Sequence, residues 1–289
     1  MCGRFAQARN LHDLQLAFDI PEAGAPGTSG GGRTMPPLEE LEPDYNISPG
    51  KNVQAVLGTP PGQAGPGAPR GPQGIGTFRW GLIPSWAKDA AVGFKMINAR
   101  SETVADKPAF RDALRSRRCL LPATVYYEWQ YLPDAAPGTA EPGTSPATDP
   151  GHRRRKAKSR KRPFSVGYPD GSPLALAGLF ERWRDPALPD DDPAAWVWSC
   201  TVVTTEARGE LAGIHERMPI VVPPGEWAAW LDPASGWDAV SRAMDATPVG
   251  DLELREVSTA VNSIKNNGPA LLDPPDPAEA AAAEPATLF

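Results

Sequence analysis

Cys2, which directly follows the initiator methionine, is the residue best suited to covalent chemistry. Methionine aminopeptidases remove Met1 when the second residue is small, so the mature chain would begin with a cysteine carrying a free α-amine. That amine has a pKa of about 7.7–8.0 and is partly unprotonated at neutral pH. Amine and thiol together could capture an aldehyde twice, first as a Schiff base and then as a thiazolidine ring, a closure favoured by proximity. The alternative is an ordinary free cysteine packed in the core.

Schiff-base chemistry needs a group that moves protons, and Glu128 is the first candidate. It lies in the strand-like run Tyr126-Tyr127-Glu128-Trp129. Alternation along a strand places Tyr126 on the face of Glu128, with Tyr127 and Trp129 on the opposite face. Glu128 is then either a solvent-facing residue or a buried acid whose raised pKa suits proton transfer near neutrality.

Two other polar residues could assist Cys2. His215 is one of three histidines and lies where a predicted helix gives way to a strand. It is either a structural residue or a participant in proton transfer. Asn98 could hold a substrate oxygen or orient Cys2, although asparagine is also ordinary in a turn.

Three arginines and two tryptophans lie close to these candidates in the sequence. Arg4, Arg100 and Arg217 each fall within two residues of a candidate, and guanidinium groups bind phosphate bidentately. Trp80 and Trp86 flank a Gly-Leu-Ile-Pro-Ser stretch that resembles a loop, which predicts exposed indoles able to stack on unpaired bases. Packing in the core is the alternative for either tryptophan.

Composition limits the other possibilities. The chain has 289 residues and a net charge of −6, so any nucleic-acid site must be a local patch. Three cysteines without a CxxC pair argue against a disulfide framework and against a zinc site. We therefore expect no metal and no cofactor. Neither a signal peptide nor an apolar run of membrane-spanning length is evident, which predicts a cytoplasmic protein, nucleoid-associated if bacterial, without membrane contact.

The elements that would position these residues read as an α+β fold. Alternating apolar stretches predict strands at 53–57, 77–80, 120–129, 164–168, 174–180, 196–204, 218–222 and 252–257. Helical spacing predicts helices at 11–18, with Asn10 as N-cap, and at 108–117, 205–213, 225–231 and 237–245. Many short strands with a few short helices indicate a barrel-like mixed sheet flanked by helices.

Glycine and proline, at 28 and 35 residues, are concentrated in stretches too poor in large apolar residues to form a core. They predict flexible insertions at 21–43, 58–75 and 132–163 within a single domain of residues 1–270, followed by a disordered Ala/Pro-rich tail at 271–289. Residues 153–162 hold eight lysines or arginines. This run is either a solvated loop or a mobile basic arm that contacts phosphates.

Taken together, these residues resemble a known family. The ordered strings M-C-G-R-F, W-G-L-I-P-S-W, I-N-A-R-S-E-T, Y-Y-E-W and H-E-R-M-P are similar to those of the SRAP family, the SOS-response-associated peptidases now regarded as abasic-site processing proteins. The resemblance spans residues 1 to about 270. It implies a self-contained α+β domain with a positively charged groove for single-stranded DNA.

The resemblance also assigns roles. It implies that Cys2 forms a thiazolidine with the ring-opened aldehyde of an abasic site, that Asn98 lies beside this nucleophile, and that Glu128 is the acid/base residue. His215 matches the histidine that assists ring-opening, lyase chemistry and reversal of the cross-link. The DNA-contacting groups of the family are matched by Arg4, Trp80, Trp86, Arg100 and Arg217.

We therefore expect a monomer that acts on abasic sites in single-stranded DNA, with replication-fork proteins as candidate partners. Three other functions fit parts of the sequence. An N-terminal-nucleophile amidohydrolase also begins with M-C-G and uses its α-amine as base. A peptidase could use Cys2 only to remove Met1 from its own chain. A non-catalytic DNA reader would need no nucleophile.

Overall fold

The computed structural model describes residues 2–20, 36–58, 71–132, 161–189 and 191–277. Within these residues the chain forms short strands and a few short helices. The strands are β1 Phe5–Gln7, β2 Asp44–Ile47, β3 Asn52–Leu57, β4 Gly74–Trp80, β5 Asn98–Arg100, β6 Arg118–Ala123, β7 Val125–Tyr131, β8 Lys161–Gly167, β9 Leu174–Arg184, β10 Trp196–Glu206, β11 Arg217–Pro219 and β12 Glu253–Glu256. The α-helices are α1 Leu11–Ala17, α2 Arg111–Ser116, α3 Trp227–Leu231 and α4 Trp237–Asp245.

Five strands close into a barrel. Neighbours pair in the order β10-β4-β3-β6-β9, and β9 pairs back onto β10 from Trp196↔Arg184 to Val202↔Gly178. Closure is possible because β10 is long enough to pair with β9 along one edge and with β4 and then β5 along the other. This arrangement confirms the predicted α+β fold with a barrel-like mixed sheet.

A second, antiparallel sheet in the order β12-β8-β7-β1-β2 packs against the barrel. Its inner side chains, including Phe5 and Tyr126, share one buried cluster with the apolar side chains of the barrel interior. Phe5 on β1 lies opposite Tyr126 on β7. The second sheet therefore places the amino-terminal residues directly over the barrel core.

The helices cover the other surface of the barrel strands. Leu14, Leu114 and Trp230 pack there with the outward-facing residues of β3, β6 and β9. Asn10 caps α1 as predicted, since its side chain accepts a hydrogen bond from the backbone of Asp13 at 2.8 Å. No helix in the described part of the chain is both long and apolar enough to cross a membrane.

Four of the predicted elements differ clearly from the structure. The single strand expected at 120–129 is two strands, β6 and β7, in different sheets, with Thr124 between them. The helix expected at 205–213 is only a 3-10 turn, Gly209–Gly213, because β10 continues to Glu206. Helix α2 and strand β11 are shorter than the predicted 108–117 and 218–222.

A few residues of the predicted insertions and tail lie within the described part of the chain and are packed there. Residues 36–43 pack on the barrel: Pro36 is buried, and the carbonyl oxygen of Pro37 accepts a hydrogen bond from the backbone of Thr77 at 2.7 Å. Gly76 makes this possible, since a Cβ there would lie 2.3 Å from the Pro36 ring. Leu271, expected in the tail, is buried in a 3-10 turn. Residues 21–35, 59–70, 133–160 and 278–289, with most of the basic run, lie outside the described residues.

Candidate active site

Cys2 lies at the junction of the two sheets and is completely buried. Asn98, on β5, donates a hydrogen bond from Nδ2 to the Cys2 carbonyl oxygen at 2.8 Å. Parallel pairing of β5 with β10 fixes Asn98 opposite Val202. The sequence left open whether Asn98 orients Cys2; in the structure it holds the Cys2 backbone.

The other side of the Asn98 amide has no partner. Its Oδ1 atom is buried, and no hydrogen-bond donor lies within reach among the described residues. A buried acceptor without a donor costs about 1–3 kcal/mol of stability. Asn98 thus retains one acceptor beside Cys2 that an incoming N–H or O–H group could use.

The sequence left open whether Glu128 faces solvent or is a buried acid. In the structure it is buried, with 5% of its surface exposed. Burial raises its pKa to about 7, so both protonation states are populated near neutrality. The Cys2 thiol has its pKa raised by burial and further by the charge of Glu128. Because the charge of Glu128 affects the Cys2 pKa, the Glu128 carboxyl group lies within electrostatic range of the Cys2 thiol.

His215 follows the 3-10 turn, and a hydrogen bond fixes its tautomer. Its Nδ1 accepts the backbone N–H of Arg217 at 2.9 Å, while the Arg217 carbonyl oxygen is a weaker contact at 3.3 Å. Neutral His215 therefore carries its proton on Nε2. Burial lowers the His215 pKa, which favours this neutral form.

The loop that carries His215 is tied to the strand that carries Glu128. Gln130 donates a hydrogen bond from Nε2 to the Gly213 carbonyl oxygen at 3.1 Å. Gln130 thus connects the strand of Glu128 to the loop of His215.

Arg100 and Arg217 lie at the open end of β10. Arg217 donates to both carboxylate oxygens of Glu102, at 2.6 and 2.9 Å, and to the Thr204 carbonyl oxygen at 2.7 Å. The hydrogen bond from Arg217 lowers the pKa of Glu102, which is about half exposed. Arg100 is exposed at the end of β5 and pairs through its strand with Thr204.

Arg4 points to the other side of the amino-terminal segment. Its Nη1 donates to the Asn46 side chain and to the Val261 carbonyl oxygen, and its guanidinium lies 5.6 Å from the centre of the Trp129 ring. Burial lowers the Arg4 pKa. Asn46, completely buried, was missed by the sequence reasoning; its signal was a polar residue within a short strand.

The two tryptophans have opposite environments. The prediction that both indoles are exposed is wrong for Trp80, which ends β4, has no exposed surface and donates from Nε1 to the Ile97 carbonyl oxygen at 3.0 Å. Trp80 therefore supports the chain immediately before Asn98. Trp86 is 61% exposed and is available for stacking.

The structure thus gathers Cys2, Asn98 and Glu128 with the neighbouring His215 loop at one junction. This is a buried thiol within electrostatic range of an acid whose pKa is near neutrality, a combination suited to nucleophilic and acid–base chemistry. In the portion of the chain that is described, no group of three or more His, Cys, Asp or Glu side chains could hold a metal ion.

The fold resembles solved structures of bacterial proteins. A crystal structure of a protein from Bacteroides thetaiotaomicron aligns over 94% of this chain and 99% of that chain, with a TM-score of 0.65 at 17% identity. One from Bordetella bronchiseptica aligns over 89% of this chain and all of that chain, with a TM-score of 0.59 at 21% identity. At these identities the likeness concerns the fold.

Sequence comparison defines the family. Residues 1–264 match the family described as SOS response associated peptidase (SRAP), and the chain belongs to that family. It is 31% identical to "Abasic site processing protein YoqW" of Bacillus subtilis over 94% of this chain and 99% of that protein. It is 27% identical to "Abasic site processing protein HMCES" of Xenopus tropicalis, over 93% of this chain and 77% of that protein.

Proposed function

We propose that this chain processes abasic sites in single-stranded DNA by forming a thiazolidine between mature Cys2 and the ring-opened aldehyde. The observation that carries the proposal is the placement of Cys2, held by Asn98 and within electrostatic range of Glu128, whose pKa is about 7. The relatives named as abasic site processing proteins support the choice of substrate.

In the proposed reaction the Cys2 amine attacks the aldehyde carbon of the open sugar and forms a carbinolamine. The protonated form of Glu128 gives its proton to the departing hydroxyl, which leaves as water, and an iminium remains. The Cys2 thiolate then adds to the same carbon and closes the ring. Reversal follows these steps backwards, with Glu128 available in both protonation states.

Neutral His215, with its proton on Nε2, can assist the reaction as a hydrogen-bond donor. Its Nε2–H can donate a hydrogen bond to a sugar oxygen and so assist opening of the abasic sugar. If the imine persists, loss of a proton from the adjacent sugar carbon permits β-elimination of the 3′ phosphate. That side reaction is the lyase activity we propose for the same site.

We also propose how DNA is held. Exposed Arg100 and Trp86 offer a phosphate contact and a stacking surface, respectively. The Arg217 guanidinium already binds Glu102, so a phosphate would share or displace that carboxylate. Arg4 would act from its position between Asn46 and Trp129. Single-stranded DNA is favoured because extruding an abasic sugar from a duplex costs a few kcal/mol.

The test mixes purified protein with single-stranded DNA that carries one abasic site, followed by a denaturing gel. A covalent band is expected, and it should be absent in Cys2→Ala. In Glu128→Gln from which Met1 has been removed by an added aminopeptidase, the band should form about 10²-fold more slowly through loss of the proton donor. Cys200→Ala is the matched control, since this second buried cysteine of the same cluster has no α-amine. An equal band in Cys2→Ala would refute the proposal.

The family description also names a peptidase, and we propose that this activity is limited to removal of Met1 by the same site. The mass of purified Glu128→Gln protein tests this. Retention of Met1 in that variant, with removal in the wild type, is expected. Complete removal in both would assign the cleavage to a separate aminopeptidase.

A further inference from the structure

Tyr126 is a buried polar residue that the proposed reaction has not used. It has no exposed surface, and its hydroxyl has no hydrogen-bond partner in the described part of the structure. Tyrosine hydroxyls usually find a partner when buried, because desolvating one without compensation is unfavourable. An unsatisfied hydroxyl at this depth therefore requires an explanation.

The position of Tyr126 relative to Cys2 and Glu128 supplies an explanation for its unsatisfied hydroxyl. Alternation along β7 places it on the same face as Glu128. Tyr126 packs in the same buried cluster as Cys2. It pairs across β7 and β1 with Phe5, close in the chain to Cys2. Burial raises the Tyr126 pKa, and the charges of Cys2 and Glu128 raise it further, so the hydroxyl lies within electrostatic range of both.

We propose that the Tyr126 hydroxyl donates a hydrogen bond to the Cys2 sulfur while this atom is a thiolate, and so promotes closure of the thiazolidine ring. The inference rests on the proposed function and adds a catalytic group to it. The buried thiol is otherwise poorly suited to ionise, since burial and the Glu128 charge both act against the thiolate. A neutral donor offsets this without adding a competing nucleophile or base.

The step is balanced without transfer of the tyrosine proton. The Cys2 thiol first gives its proton to the Glu128 carboxylate. The thiolate adds to the iminium carbon, a carbon–sulfur bond forms, and the electron pair of the carbon–nitrogen π bond becomes the lone pair of the ring nitrogen. Tyr126 keeps its proton throughout and releases the sulfur as the negative charge disappears.

Tyr126→Phe tests the inference, with Tyr127→Phe as the matched control. Tyr127 is also a fully buried tyrosine on β7, but it lies on the opposite face and donates to the Tyr45 carbonyl oxygen at 2.8 Å. The reaction with abasic single-stranded DNA is sampled over time at several pH values. Borohydride quenching records the imine, and heat-stable adduct without borohydride records the closed ring.

The expected result is selective. Tyr126→Phe should form the imine at the wild-type rate but close the ring about tenfold more slowly, the loss expected for one hydrogen bond to a charged atom. Its closure profile should shift by about one unit to higher pH, and β-elimination should increase because the imine lives longer. Tyr127→Phe should match the wild type in both steps.

Other results distinguish failure of the Tyr126 inference from failure of the proposed function. If the wild type forms adduct and Tyr126→Phe closes the ring equally fast, the inference is wrong while the proposed function stands. If imine formation and ring closure slow together in Tyr126→Phe, the hydroxyl acts through Glu128 and the inference is again wrong. If the wild type yields neither imine nor closed adduct, the proposed function itself fails. Unfolding midpoints of both variants confirm that folded protein is compared.

Discussion

The polar groups on the two faces of strand β7 differ in their hydrogen bonding. On one face, Tyr127 donates to the Tyr45 carbonyl oxygen, and the Trp129 indole donates to the Asn262 side chain at 2.6 Å. On the other face, the Tyr126 hydroxyl has no hydrogen-bond partner among the residues that the structure describes, and burial raises the Glu128 pKa to about 7. The two faces belong to one strand seven residues long.

The first face anchors the carboxyl-terminal segment. Asn46 accepts from Arg4 and donates to the carbonyl oxygens of Val261, Ser263 and Asn266 at 2.9–3.3 Å. We call this the anchoring face. The second, with Tyr126 and Glu128 towards Cys2, is the site face. Satisfied hydrogen bonds on the anchoring face contribute stability, whereas the site face buries a hydroxyl and an acid at a cost in stability.

The largest effect is expected at Asn46, which lies on β2 and binds the same carboxyl-terminal segment that the anchoring face contacts. Asn46→Ala should lower the free energy of unfolding by about 4 kcal/mol, because it removes several buried hydrogen bonds at once and leaves backbone carbonyl groups unsatisfied. Urea unfolding measures this change. A loss below about 1 kcal/mol would show that the anchoring network contributes little, and the contrast between the faces would disappear.

Glu128→Gln on the site face should act in the opposite direction and depend on pH. The folded pKa is raised from 4.5 to about 7, so the folded state binds more protons than the unfolded state between these values. Wild-type stability therefore falls as pH rises from about 4.5 to 7, by about 3 kcal/mol in total. The stability advantage of Glu128→Gln should grow by this amount between pH 4 and pH 8, as measured by urea unfolding.

Glu102→Gln provides the control of opposite sign. The hydrogen bond from Arg217 lowers the Glu102 pKa, so its contribution is present above the unfolded pKa and is lost as pH falls through the folded pKa. Glu102→Gln should therefore lose stability relative to the wild type at pH 8 and not at the lowest pH. Identical pH slopes for the Glu102 and Glu128 variants would contradict the assignment of the site face.

The smallest effect compares adjacent tyrosines. Tyr127→Phe should lower the free energy of unfolding by about 1 kcal/mol, since it removes one satisfied hydrogen bond. Tyr126→Phe should leave it unchanged or raise it, since the hydroxyl that it removes has no partner in the described residues. Chemical denaturation of the two variants side by side resolves the difference. A larger loss in Tyr126→Phe would reverse the comparison.

The sequence predicted the strand that carries Glu128 but not the surroundings of that strand. Tyr126-Tyr127-Glu128-Trp129 lies within β7, and the period of a strand places Tyr126 and Glu128 on one face. The environment of Trp80 was missed because the following Gly-Leu-Ile-Pro stretch resembles a loop, although Trp80 itself ends a barrel strand. The break at Thr124 was missed although Pro122, two residues earlier, is a residue type that interrupts strand pairing.

The other features that the sequence did not predict depend on contacts between residues far apart in the chain. Closure of the barrel depends on β9 pairing with β10 while β10 also pairs with β4, which no local pattern indicates. Asn46 binds carbonyl groups more than 200 residues away in the chain. A polar residue whose partners lie so far along the sequence gives no periodic signal, and only the folded structure shows its role.

The most direct test of the covalent site is peptide sequencing by mass spectrometry of the adduct with abasic single-stranded DNA. The account predicts that the DNA-linked peptide begins at Cys2 without Met1, and that its mass is that of peptide plus DNA fragment less one water. Attachment through a lysine, or an adduct that retains Met1, would contradict it.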